Sequence, residues 1–214
     1  ASGTLNLTGA VPFNLSGTGT NTIILNGAAA LVNYSYAGSQ DVAAFPYNNL
    51  TISGGNTKTI QGNISVSGTL NLDNGNLSLG SGTNNITLGE SSLISATGGF
   101  SNTRMIICDG DGNLIKQGTS VNDFIIVYPV GTGTFYTPFE ITGLTATVGG
   151  TGSIAVKAIA SVAPGPPAAA GSDLNKYWSI TTTNLSNINA DISLTYINPD
   201  EVGSGGNQTK YVPF

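Results

Sequence analysis

The chain contains no histidine. Serine and cysteine nucleophile mechanisms that rely on an imidazole base are therefore closed to it. A single cysteine, Cys108, rules out an intrachain disulfide. It sits in "RMIICDG" beside an apolar run and reads as a small buried hydrophobe; a reactive thiolate wants a cationic or histidine neighbour. Charge is scarce, at 8% of residues, against roughly 25% in an ordinary globular protein. The six cations (Lys58, Arg104, Lys116, Lys157, Lys176 and Lys210) are scattered. The clustered positive charge that replaces phosphate counterions is missing, which excludes nucleic acid as a partner. No apolar run approaches the roughly 20 residues of a membrane-spanning helix, and the longest, Phe124 to Val130, is one strand long. No segment carries the 3.6-residue apolar spacing of an amphipathic helix. The acids mostly stand singly, in Gly/Asn turns or before strands, without the spaced carboxylate pair a glycosidase needs. The chain reads as no enzyme and as holding no cofactor, calcium aside.

What remains is a β pattern. The stretch "YNNLTISGGNTKTIQGNISVSGTLNLDNGNLSLG" runs from Tyr47 to Gly80. Its apolar residues come in pairs one residue apart: Leu50/Ile52, Ile64/Val66, Leu70/Leu72 and Leu77/Leu79. Gly or Asn bounds each pair, the mark of half-buried strands joined by tight turns. A coarser repeat lies over this one. "GTLNL" occurs at Gly3–Leu7 and again at Gly68–Leu72. Leu50/Ile52 precedes Leu70/Leu72 by 20 residues and Ile64/Val66 precedes Ile86/Leu88 by 22. Several short strands per period of about 20 predict the coils of a parallel β-solenoid over residues 1–99. Each coil would share its apolar face with the next, and Asn and Thr between the apolar positions could line up in like-on-like ladders.

Beyond Phe100 the strand-like segments lengthen: "RMIICD", "GNLIKQG", "DFIIVYPVG", "TPFEITGLTATV", "GSIAVKAIAS", "KYWSITTTNL" and "ADISLTYI". This spacing predicts an antiparallel, immunoglobulin-like β-sandwich over residues 100–214. "APGPPAAAGSD" (Ala163–Asp173) reads as a loop inside it. The fold class expected is thus all-β, a parallel solenoid followed by a sandwich. "SGTLNLTG" at one end and "TKYVPF" at the other both read as strands cut from something longer.

The phrases "YNNLTISGGNTKTIQGNISVSGTLNL", "YPVGTGTFYTPFEITG" and "NKYWSITTTN…DISLTYINPDE" in this order resemble modules of very large Bacteroidetes surface proteins. These are adhesin-like and gliding-motility proteins exported by the type IX secretion system. The resemblance spans nearly the whole chain. It implies an extracellular or cell-surface module of a longer polypeptide with a structural or adhesive role, and it carries no catalytic motif to transfer. Neighbouring modules of the same polypeptide are the partners this implies. Separately, open solenoid ends and sandwich edge strands could accept another strand from identical subunits in a fibre, and exposed Tyr or Trp could bind surface polysaccharide.

Three local features are candidate sites. In "CDGDGNLIKQG", Asp109, Asp111 and Asn113 have the alternate-position oxygens of a calcium loop. The pattern breaks at Leu114 and Ser120, where the loop wants Gly and Glu, so a β-hairpin turn is the plainer reading. Tyr34 and Tyr36 in "VNYSYAG" lie two apart, so a strand would put both on one face, to pack or to stack on sugar rings. Trp178, the only tryptophan, reads as a core anchor and secondarily as a ligand platform. N-x-S/T triplets such as Asn49-Leu50-Thr51 follow from the Asn/Leu/Thr composition and say nothing of glycans.

Overall fold

The computed structural model describes residues 3–13, 25, 27, 29–133, 135–164 and 174–196. Strands come in repeating threes. β1 (Gly3–Leu7) is followed by β2 (Ala30–Tyr34), β3 (Gln40–Val42) and β4 (Pro46–Tyr47). Next come β5 (Asn49–Ile52), β6 (Thr57–Ile60) and β7 (Ile64–Val66), then β8 (Thr69–Leu72), β9 (Asn76–Ser78) and β10 (Ile86–Leu88). A fourth set is β11 (Leu93–Ala96), β12 (Ile106–Ile107) and β13 (Leu114–Gly118). The first members stack in parallel as sheet A, β1-β2-β5-β8-β11. The third members stack as sheet B, β4-β7-β10-β13, and the second as sheet C, β3-β6-β9-β12. The expected β-solenoid is present, three sheets around one core. Its register follows the apolar pairs: Leu50 lies beside Leu70 and Ile64 beside Ile86. Both copies of "GTLNL" fall on sheet A, as β1 and β8.

Period-2 alternation explains the burial. In β5, β6 and β8, every second side chain points inward. Val32, Leu50, Leu70, Ile52 and Leu72 are almost wholly enclosed, and they join Ile64, Leu77, Leu79, Ile86 and Leu114 in one cluster fed by all three sheets. A lone coil leaves this face wet; stacking removes it from water, at about 25 cal/mol per Å2 of apolar surface. Between the apolar positions the expected like-on-like contact is made by Asn33, whose amide donates to the Asn6 side-chain oxygen at 3.1 Å. A second asparagine ladder, not expected from the alternation, uses main-chain donors. At the corner entering sheet B, the Asn63 side-chain carbonyl accepts from the Asn85 main-chain N–H at 2.8 Å, and Asn85 does the same for Asn113 at 2.8 Å.

The corners need glycine where one coil closes on the previous one. Gly54 has φ +75°, and a Cβ there would meet the Ser35 carbonyl at 2.5 Å. At Gly112 a Cβ would collide with the Asn84 carbonyl beneath it.

Past residue 100 the parallel stack continues. β12 pairs with β9, and β13 with β10. After a single 3-10 turn, Val121–Phe124, come β14 (Val127–Tyr128) and β15 (Val130–Thr132), and β15 pairs in parallel with β12. The direction then reverses. β16 (Phe135–Tyr136) adds antiparallel to β15, and the 21-residue β17 (Phe139–Ile159) adds antiparallel to both β13 and β14. β18 (Tyr177–Leu194) runs antiparallel along β17 with three register shifts. "RMIICD", "GNLIKQG" and "YPVG", expected in a sandwich, therefore contribute strands to the solenoid's sheets. Among the described residues no second antiparallel sheet faces β17–β18. The lengthening corners hide the period: the coil bringing Ile106 beside Leu77 carries a longer corner than the one bringing Leu77 beside Lys58. The expected hairpin turn at Cys108–Asn113 is instead a corner, because β12 and β13 belong to different sheets. Residues 165–173 of the Pro/Ala/Gly stretch and the terminal "TKYVPF" lie outside the described residues.

Phe124, Tyr128, Phe139, Ile141, Leu144, Ile154, Val156 and Ala158 close the core at this end. No helix among the described residues is long and apolar enough to cross a membrane.

Candidate functional site

The alternation that sends apolar residues inward also sends two lysines there. Lys58 in "TKTI" is in phase with Ile60 and is fully buried. Its ammonium donates to the main-chain carbonyls of Tyr36 (2.6 Å), Gly38 (2.9 Å) and Gly55 (2.6 Å). Lys116, in phase with Leu114, donates to the carbonyls of Gly89 (2.5 Å) and Glu90 (2.6 Å). These carbonyls sit at corners, where the chain leaves a strand and loses its ladder partner. An ammonium has three donors and no acceptor, so three converging carbonyls satisfy it. Burial lowers the pKa of both lysines; for Lys116 the nearby Asp123 and Glu90 carboxylates act the other way. Gln40 does similar work, donating to the carbonyls of Leu7 and Gly9 at 2.8 Å each. The scatter of the cations along the sequence concealed this role. The signal was their phase with Ile60 and Leu114.

The residues expected at sites are spread over the molecule. Tyr34 ends β2 inside the core, its ring edge-on to Tyr47 and its hydroxyl 2.7 Å from the Tyr47 hydroxyl. Burial raises both phenol pKa values. Tyr36 lies beyond the end of β2, in the corner, and is 38% exposed. Trp178 is half-buried on β18 opposite Ala158, and its indole N–H donates to the Thr137 carbonyl at 2.8 Å. Asp109 accepts from the Gly133 N–H at 3.0 Å, Asp111 pairs with Lys157 at 3.1 Å, and Asn113 is held by the asparagine ladder. Each of the three oxygen-bearing residues is thus engaged with a different part of the chain. No group of three or more His, Cys, Asp or Glu placed to hold a metal occurs among the described residues.

Cys108 lines a concavity of about 320 Å3 with Asp109, Asp111, Thr132, Lys157 and Tyr177. Burial pushes its thiol up to about 12, so it is protonated at neutral pH and a poor nucleophile.

The larger concavity, about 600 Å3, lies over the outer face of sheet A, lined by Thr4, Leu31, Asn49, Thr51, Thr69 and Asn71 among others. Two rows of outward side chains cross the strands there. One is Asn6, Asn33, Thr51, Asn71 and Ser95; the other is Thr4, Leu31, Asn49, Thr69 and Leu93. None is charged. Asn49 is fixed by the Thr69 N–H, which donates to its side-chain oxygen at 2.9 Å, and Asn71 accepts from the Ser95 hydroxyl at 3.2 Å. Among the described residues, the hydroxyls of Thr4, Thr51 and Thr69 find no hydrogen-bond partner in the protein. The Asn49 and Asn71 side-chain oxygens are held, and the hydroxyls are left to the groove. The alternation marked these residues as outward, but it could not mark them as lining one groove.

Comparison with known protein families, with characterised proteins and with solved structures found no match.

Proposed function

We propose that this chain is a structural module of a large secreted, surface-displayed bacterial protein, acting as a stalk, spacer or adhesive segment. The observation that carries the reading is the unbroken parallel stack with a single continuous core, to which the antiparallel β16 and β17 add at one end. A stack of this kind is stiff because each strand is hydrogen-bonded to the coil above and below. A terminal unit with its own pattern is what a solenoid needs in order to end without exposing its core. The low-charge coat of hydroxyls and amides and the resemblance to Bacteroidetes surface modules support the extracellular setting. The immunoglobulin-like sandwich is replaced in this reading by the β17–β18 hairpin, whose role is to cap.

Antibodies raised against this chain test the setting on intact cells of the source bacterium. Labelling without permeabilisation, removed by external protease, is expected. Labelling only after lysis overturns the reading.

A second reading is self-assembly into an extracellular fibre. Its support is the edge of β18, eighteen residues with a partner on one side among the described residues, since such edges accept strands. Concentration-dependent filaments in electron micrographs of the pure protein would favour it over the spacer.

A further inference from the structure

We infer that the groove over sheet A binds a neutral polysaccharide chain lying along the stacking axis, across the strands. This rests on the adhesive form of the proposed function and names the class of ligand. The ten outward positions of the two rows hold no charge, so the groove offers nothing to select an acidic polymer. The buried ammonium groups do not reach it, because Lys58 belongs to sheet C and Lys116 to sheet B.

The unpaired hydroxyls of Thr4, Thr51 and Thr69 and the amide N–H groups of Asn71 are the donors and acceptors a sugar hydroxyl needs, since each sugar hydroxyl both gives and takes a hydrogen bond. Strands repeat at about 4.8 Å, close to the advance of one sugar unit along an extended glycan. A polymer with repeating hydroxyls thus meets side chains that repeat with it. Leu31 lies half-buried among them and gives the apolar face of a sugar ring a contact. The lining residues of β2, β5 and β8 sit on strands paired on both edges, so little ordering remains to be done on binding. The aromatic residues that suggested sugar binding lie elsewhere: Tyr34 in the core, Trp178 on the terminal hairpin.

The test uses the whole chain and insoluble polysaccharides. Retention is measured on curdlan, cellulose, agarose and starch as neutral probes, and on calcium alginate and polygalacturonate gels as acidic ones. Retention on at least one neutral probe, insensitive to salt and absent on the acidic gels, is expected. The double variant Thr51→Val/Thr69→Val keeps strand propensity and shape. It is expected to lower the affinity about tenfold, the loss of two hydroxyl hydrogen bonds. No retention on any neutral probe overturns the inference, as does retention only on acidic gels or retention unchanged in the double variant. Ice-shaping activity without glycan retention also overturns it, reassigning the hydroxyl array to ordered water. A chain that binds no glycan but is displayed on intact cells is a plain spacer. One that binds glycan but is found only inside cells keeps the groove and loses the surface reading.

Discussion

In the coils from β5 to β10, strands of three or four residues have partners on both edges and send every second side chain or more into the core. In β18, eighteen residues have a partner on one edge among the described residues, and none of them is buried. The longer strand is the less supported. Strand length therefore says little about local stability here; paired edges and removal from water decide it. The contrast also shows how the molecule divides its work. The coils are a scaffold that holds side chains at fixed spacing. The hairpin shields the end of the core with the inner face of β17, and β18 lies outside it. Positive φ at Asn184 and Asn187 accompanies breaks in the β17–β18 register. Such bulges twist an edge and make it a poorer template for other chains.

The comparison can be broken first by truncating one apolar side chain in each region. Leu70→Ala in the solenoid core is expected to cost about 3 kcal/mol. Ile188→Ala on β18, where the residue is 46% exposed, is expected to cost about 0.5 kcal/mol or less. Urea unfolding midpoints measure both, and equal losses would erase the distinction.

A smaller effect is expected from the lysines. Lys58→Met strands three buried carbonyls and should cost about 2 kcal/mol. Lys157→Met breaks the pair with the largely exposed Asp111 and should cost about 0.5 kcal/mol or less. A Lys58 variant as stable as the parent would show that water or backbone adjustment can serve those corners.

The tyrosines sharpen the comparison further. Tyr34 accepts from the Ala43 N–H at 3.0 Å and meets Tyr47, so Tyr34→Phe should lose about 1 kcal/mol. The Tyr128 hydroxyl, near the capped end, is buried without a partner among the described residues. Tyr128→Phe should therefore be neutral or stabilising by about 0.5 kcal/mol.

The last test is pH dependence, read as melting temperature from pH 7 to 11. Burial lowers the Lys176 pKa to about 8 from an ordinary 10.5. Between these values the unfolded chain holds more protons, so stability rises with pH. Burial raises the Cys108 thiol above its ordinary 9.0 and the phenols of Tyr34, Tyr47 and Tyr128 above the ordinary 10.0. Above these ordinary values, from about pH 9 for the thiol, the folded chain keeps protons the unfolded chain has lost, and this contribution to stability falls with pH. A maximum between about pH 9 and 10 is expected; a monotonic decline from pH 7 would remove Lys176 from the account.

Much of the solenoid was legible residue by residue. The spacing of Leu50 and Leu70, and of Ile64 and Ile86, named true neighbours. Alternation told inward from outward and, followed through "TKTI" and "NLIKQG", would have placed Lys58 and Lys116 in the core as well. The candidate sites were less legible. Tyr34 and Tyr36 share a spacing but not a strand, because β2 ends between them. Asp109, Asp111 and Asn113 share a loop, but each turns to a different partner.

Over the coils from β5 to β10 the sequence by itself determined the strands, their inward phase, and which coil lies upon which, because these follow from local alternation and from the distance at which a pattern returns. Only the tertiary structure decided where the stack ends and which side chains share a groove. The edge of β13 offers the same N–H and C=O groups to a parallel or an antiparallel neighbour. Which one arrives depends on the path of the chain through long corners that carry no period of their own. Likewise Thr4, Leu31, Thr51 and Asn71 become neighbours only when β1, β2, β5 and β8 are laid side by side.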